Sequence, residues 1–292
     1  TPVIPLNQKS TEDLQWAIRS DGESGFLFGL NYYRNYKKPL QKDVQFEISL
    51  ENEKLLFPAK PVEIADSSMF IWPFNMKMGS INLKYATTQP LCTINENGIE
   101  KWFFIKTKNV QPEFCLDTKD IIQIKSNGKP LKSTGNSYLI TGFNAGSNNK
   151  IDIRTSKGKS LRIIVLDESE ADKVWLFNEN GSKYLFISEA CLYLNNKDLN
   201  ILTNKPETKI TALSDVTPLS INKDNQKVVR KGNSFLFSVT DNILPVPEIQ
   251  KESVFENTSW FKTSVAGVSK SKELYHNLFT REFDLNSLSE IK

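Results

Sequence analysis

The chain has 292 residues, 39% of them hydrophobic, 24% charged and 11% aromatic, and 37 basic against 34 acidic side chains leave a net charge of +3. That length supports a large core and up to two average domains, and the composition is globular rather than disordered. The near-balance of charge gives no electrostatic reason to expect nucleic acid or an anionic membrane as partner. No apolar run approaches the roughly 18 residues of a membrane-spanning helix.

The start, Thr1-Pro2-Val3-Ile4-Pro5, is neither an initiator methionine nor a signal peptide, so the chain reads as a mature product or a piece of something longer. Residues Thr11 to Ile18 are expected to form a short turn of helix. Gly25 to Asn35 reads as a strand rich in large apolar residues. Val44 to Leu50 alternates strictly, which puts Val44, Phe46, Ile48 and Leu50 on one face. Phe70 to Leu91 combines a tight turn, a buried strand and several aromatics. Short apolar runs follow at Lys101–Lys106, Ile121–Ile124, Leu161–Leu166, Tyr184–Ile187 and Phe235–Val239, with turn pairs Asn97-Gly98, Asn127-Gly128 and Asn180-Gly181 among them. A helix is expected over Asp167 to Phe177, capped by Asp167 or Ser169, with Ala171, Val174 and Trp175 facing one core.

Many short strands joined by Asn-Gly turns predict a mostly β fold, with antiparallel sandwich or open-barrel domains and one or two short helices. Composition shifts suggest three regions. A first β domain covers 1–128, a second with the short helix covers 129–246, and 247–292 follows, after the Pro-punctuated stretch from Asn242 to Pro247, as a linker and the start of a truncated segment.

Catalytic chemistry is sparse. The one histidine, His276, would have to serve any Ser-His-Asp or Cys-His mechanism, and neither an acidic pair nor a G-x-S-x-G lies near it. Cys92, Cys115 and Cys191 are scattered and read as small core residues, not as a disulfide framework or a zinc site. No phosphate loop or dinucleotide fingerprint occurs, so no cofactor and no metal are expected. Glu168, Glu170 and Glu189 read as capping or solvated carboxylates, and no catalytic pair stands out. Tyr32, Tyr33, Arg34 and Trp72 are the candidate sugar contacts, because a pyranose ring offers an apolar face to an aromatic plane. The alternative is that the tyrosines pack between sheets and Trp72-Pro73 lines a turn.

The same residues carry a resemblance. Gly25-Phe26-Leu27-Phe28-Gly29-Leu30-Asn31-Tyr32-Tyr33-Arg34-Asn35, preceded by Leu14 to Gly22, is similar to the first strands after the catalytic barrel in bacterial β-galactosidases of glycoside hydrolase family 35. Trp72-Pro73-Phe74-Asn75 and Ile81 to Leu91 resemble the strand pair of that region. Lys101–Lys106, Glu113-Phe114 and Leu161 to Tyr193 with Trp175 resemble later strands, and Trp260 with Phe279 to Leu285 resembles the opening of the terminal jelly roll, cut short at Lys292. The catalytic barrel would lie upstream of Thr1, since such a barrel needs about 200 residues and eight alternating helices.

The resemblance therefore implies an accessory β region without catalytic residues, whose partner is the missing barrel and whose parent cleaves β-galactosides with retention. It also implies a periplasmic or extracellular setting. Two other classes stay open: a free-standing carbohydrate-binding module, and a structural interaction domain marked by a large apolar patch.

Overall fold

The computed structural model describes residues 12–51, 53–203, 207–215 and 234–236 with their side chains. It also describes the backbone of strands at 220–221, 226–231, 234–239, 250–253 and 277–280. The protein is mostly β, built from several sheets that are largely antiparallel, with no closed barrel among the described residues.

Chain order runs β1 (Gln15–Ser20), β2 (Gly25–Asn31), β3 (Gln41–Ser49), β4 (Lys54–Ile64), β5 (Ser68–Met78) and β6 (Ile81–Ala86). Next come β7 (Thr88–Glu96), β8 (Ile99–Lys106), β9 (Phe114–Asp117), β10 (Ile121–Ser126), β11 (Lys129–Pro130) and β12 (Ser137–Ile140). β13 (Ile151–Thr155) and β14 (Ser160–Leu166) lead to helix α1 (Glu168–Ala171). Beyond it lie β15 (Val174–Glu179), β16 (Ser182–Ser188), β17 (Cys191–Asn195), β18 (Asp198–Leu202) and β19 (Glu207–Ala212). The last are β20 (Ser220–Ile221), β21 (Gln226–Lys231), β22 (Ser234–Val239), β23 (Gln250–Ser253) and β24 (Asn277–Thr280).

Two six-stranded sheets form the centre, ordered β1-β2-β5-β6-β9-β12 and β11-β10-β13-β14-β8-β7. A third sheet, β15-β16-β19-β22-β21, follows in the chain. The boundary expected at 128 falls inside the central pair. β9 bonds to β12 and β10 to β13 across it, so a cut there would divide both sheets.

The Asn-Gly pairs do what their chemistry demands. Between β7 and β8, Asn97 at φ 50 and Gly98 at φ 75 make the two left-handed corners of a tight hairpin, a conformation asparagine and glycine tolerate. The strand expected at Val44–Leu50 is β3, and its face is as expected: Phe46 and Ile48 are buried, with Val44 and Leu50 packed beside them.

The expected helix is corrected. Asp167 caps α1 and forms a capping box with Glu170, but the helix ends after Ala171. Val174-Trp175-Leu176-Phe177 continue as β15, paired with β16 around Asn180-Gly181. β-Branched and aromatic residues fit the pleat, and the hairpin turn supplies a partner strand, which one turn of helix could not match. Trp175 still faces a core, now at strand spacing with Phe177. The helical turn expected before Ile18 is likewise strand from Gln15 onward, with Thr11 outside the described residues.

The first sheet is loaded unequally. On one face Leu27, Phe70, Trp72 and Phe74 pack against Phe46, Ile48 and Phe57 of the β3–β4 hairpin. On the opposite face Ile81, Leu83, Phe114 and Leu116 pack against Phe104, Ile151, Ile163 and Val165 of the second sheet. That cover reaches β6, β9 and β12 and the end of β5. Among the described residues it does not extend over the β1-β2-β5 corner of the same face, where Phe28, Leu30 and Ile71 stay partly exposed.

Candidate functional site

The bare corner is apolar because β2 is apolar on both faces. In register across β1, β2 and β5, Ala17 lies beside Phe28 and Ile71, and Gln15 beside Leu30 and Met69. With Gln89 from β7 as a side wall, these residues line a groove of about 370 Å³. No charged side chain lines it. Met69 stands at its rim, 69% exposed, an uncommon position for an unbranched apolar side chain of that size.

At the end of β2 the chain leaves the groove and makes the turn Tyr33-Arg34-Asn35-Tyr36. The Tyr36 N–H donates to the Tyr33 carbonyl at 3.3 Å, and Asn35 takes φ 62. The two tyrosine rings meet edge to face with centroids 6.5 Å apart. Tyr32, Tyr33, Arg34 and Tyr36 are all exposed. The Tyr36 hydroxyl donates to Glu12 Oε1 at 3.2 Å, and contact with that carboxylate raises the phenol above the usual tyrosine range.

Beneath this exposed turn sits a buried polar anchor. Asn31 is 0% exposed, and its Nδ2 donates to the carbonyls of Pro39, Ile64 and Ala65 at 3.0–3.2 Å. Its backbone carbonyl accepts the N–H of Ser67. Lys38 is 2% exposed; its N–H donates to Asp66 Oδ1 and its ammonium to the Asp13 carbonyl. Burial pulls the Lys38 amine below the usual lysine range, against the opposing pull of Asp13 and Asp66. Desolvating a lysine costs free energy, and the bonds to Asp13 and Asp66 offset it, fastening the loop base while its aromatic tip faces solvent. Tyrosine in such a setting carries much contact area at low entropic cost, and arginine is enriched with it at interface anchors.

The four residues expected to touch sugar are divided by the structure. Tyr32, Tyr33 and Arg34 share the exposed turn. Trp72 does not join them and is corrected as a surface contact: it is 0% exposed, stacked on Phe70 at 4.2 Å and met edge-on by Phe46 at 5.9 Å. Its indole N–H donates to Thr107 Oγ1, which in turn donates to the Thr87 carbonyl. No ring face is left for a pyranose.

The other expected residues take structural roles. Glu170 accepts from the N–H and hydroxyl of Ser147 as well as from the Asp167 N–H, tying a loop to the helix start. Glu189 pairs with Lys173 at 3.0 Å. Of the cysteines, Cys115 is buried and Cys92 half-buried, and burial raises both thiols, Cys92 to about 11. Cys191 departs from the core reading and is exposed on β17. His276 and Trp260 lie outside the described residues.

In two further hollows the central carboxylate is already bonded. A cleft of about 310 Å³ lies between the β7 and β16 hairpin ends. There Glu96 accepts from the Lys101 ammonium and from the Asp215 N–H, and Lys101 also donates to the Leu213 carbonyl. These bonds fasten the second sheet to the third, over a shared core of Phe103, Ile164, Leu166 and Leu185. A hollow of about 160 Å³ holds Glu53. Burial would raise that carboxyl, but hydrogen bonds from Asn75 and Lys84 outweigh it and keep it below its ordinary value. Among the described residues, no three His, Cys, Asp or Glu side chains are placed to hold a metal ion, and no helix is long and apolar enough to cross a membrane.

Sequence reasoning missed the anchor and the groove. Asn31 and Lys38 carry no local signal of burial. The groove did leave one: Phe26-Leu27-Phe28-Gly29-Leu30 is apolar at successive positions, the pattern of a strand covered on both faces. No protein-family model matches this chain, and no curated protein is significantly similar to it. The class that fold and site define is thus a layered, mostly β protein with one bare apolar sheet corner beside a fixed aromatic turn.

Proposed function

We propose that this chain is a non-catalytic docking module, the accessory β region of a β-galactosidase-like glycoside hydrolase, bracing a catalytic domain at the bare corner of its first sheet. The observation that carries the docking part is that corner. It is the uncovered remainder of a face on which the second sheet already packs, it is uncharged, and it adjoins the Tyr32–Tyr36 turn. Exposed contiguous apolar surface of this kind marks protein interaction sites, and aromatic residues with arginine are the usual anchors of such sites. The glycoside hydrolase part rests on the resemblance of Gly25–Asn35 and Trp72–Leu91.

A module of this kind shapes and supports an active site that other residues supply. The isolated chain is therefore expected to release no nitrophenol from nitrophenyl β-galactoside above the rate in buffer. Turnover at an enzyme's ordinary rate, on the order of 10 per second, would overturn the reading. A second reading is favoured by one specific feature, the three exposed tyrosines of the Tyr32–Tyr36 turn. They would stack on galactan chains, and affinity electrophoresis decides: retardation by galactan that Tyr33→Ala abolishes would favour a carbohydrate-binding module.

A further inference from the structure

The outer edges of the two central sheets are not alike. β11 is only Lys129 and Pro130, β12 is four residues long, and β7 carries Pro90 with a break in register before Cys92. Shortness, a bulge and a proline without an N–H each discourage a further strand from pairing. β1 has none of these devices. Its six residues pair with β2 in unbroken register and, among the described residues, border no strand on the other side. In an antiparallel ladder, half of the backbone groups of an edge strand point outward. For Gln15–Ser20 those groups have no partner among the described residues.

A row of alternating donors and acceptors at strand spacing selects its ligand: an extended chain fits it. The side chains beside the edge refine the choice. Ala17 and Gln15 belong to the uncharged groove row, while Arg19, further along the same face, is exposed and has no carboxylate partner among the described residues. The groove is also continuous with the face buried under the second sheet.

We infer that β1 accepts an added strand from a partner protein, apolar where it passes Ala17 and carrying a carboxylate opposite Arg19, with the partner's body closing over the groove. The first sheet then gains a seventh strand. This inference rests on the docking reading and adds the geometry of attachment and the chemistry of the partner.

The test uses the whole chain and a synthetic extended peptide of alternating threonine and valine with one glutamate near its end. Binding is followed by fluorescence anisotropy, and backbone amide exchange by NMR. Saturation is expected to slow exchange in Gln15–Ser20 by about tenfold or more. Arg19→Glu weakens the peptide by about fivefold or more, and a peptide with lysine in place of glutamate restores binding to that variant. Ala17→Lys, on the groove row of β1 itself, also weakens it, whereas Ile122→Lys on the second sheet leaves it unchanged. Absence of binding at millimolar peptide, protection confined to β12 or β15, or indifference to Arg19→Glu would each overturn the inference. Hydrolysis plays no part in these readouts, so failure of the glycosidase reading and failure of strand addition are separately visible.

Discussion

The two faces of the first sheet, at the same strands, hold aromatic and apolar side chains in opposite circumstances. Under the β3–β4 hairpin, Trp72 sits among Phe46, Phe57 and Phe70 with its one polar atom satisfied by Thr107. One residue away in the alternation, Ile71 and Met69 face the groove, and Tyr32 and Tyr33 project beyond it. The first group holds the fold together and the second is available to a partner. Type of residue does not separate them, because both are aromatic and aliphatic residues on the same strands. Which layer lies above each face does.

The comparison breaks most visibly at Trp72. Trp72→Ala removes the largest fully buried side chain among the described residues and the indole donor to Thr107 Oγ1, whose own bond to the Thr87 carbonyl remains. A loss of about 3–5 kcal/mol is expected, read as a lower urea midpoint with unchanged slope. If the variant kept wild-type stability, Trp72 would not be the core element described.

Gly29 tests the same layer from the backbone side. A Cβ added there would lie 2.0 Å from the Phe70 ring, which is itself wedged against Trp72. The ring cannot step aside without disturbing the stack. Gly29→Ala is expected to cost about 1–3 kcal/mol, although alanine elsewhere in a strand outperforms glycine.

A pH measurement reaches the far side of this core. Burial, and then the Glu113 carboxylate, push the Tyr85 phenol well above its ordinary value of 10.0. Glu113 itself accepts the Ala59 N–H at 2.7 Å, so the pair joins β4 to the first sheet. Above pH 10 the unfolded chain releases this proton and the folded protein keeps it. The unfolded state then binds fewer protons, and stability falls as pH rises, by up to about 1.4 kcal/mol per pH unit from this group. Tyr85→Phe is expected to flatten that alkaline limb in denaturant titrations between pH 9 and pH 11, limits set by the ordinary tyrosine value of about 10. An unchanged slope would show that the limb belongs to other groups.

Much of the fold was legible in the residues. Strict alternation marked β3, and Asn-Gly pairs marked three hairpins, because period and turn chemistry are local properties. Asp167 was legible as a cap for the same reason. The reach of α1 was not, since Val174 to Phe177 fits helix or strand spacing and the pairing with β16 decides. The site was half legible: Tyr32, Tyr33 and Arg34 stood out as an aromatic and basic run, but Trp72 carries the same signal. Burial of Trp72 depends on Phe46 and Phe57, more than ten residues distant in the chain, and no local pattern encodes that. The Lys38 anchor is hidden for a similar reason, as its partners Asp13 and Asp66 come from opposite directions along the sequence.

The smallest expected effect on stability is the sharpest use of the comparison. Met69→Lys and Tyr33→Ala alter side chains that are 69% and 51% exposed. Surface substitutions of this kind shift unfolding free energy by no more than about 0.5 kcal/mol, against several for Trp72→Ala. Their effect on docking should run the other way. A lysine at the groove rim sets a charge against an apolar partner, which must desolvate it or give up the contact. Loss of Tyr33 removes both a contact plane and the edge-to-face support of Tyr36. Stability from urea unfolding, set beside binding of the extended peptide proposed for the β1 edge and of any partner that docks at the groove, therefore yields two orthogonal patterns: Trp72→Ala lowers the first, and the rim variants lower the second alone. If the rim variants unfolded as easily as Trp72→Ala, the bare corner would be part of the core and not an interface.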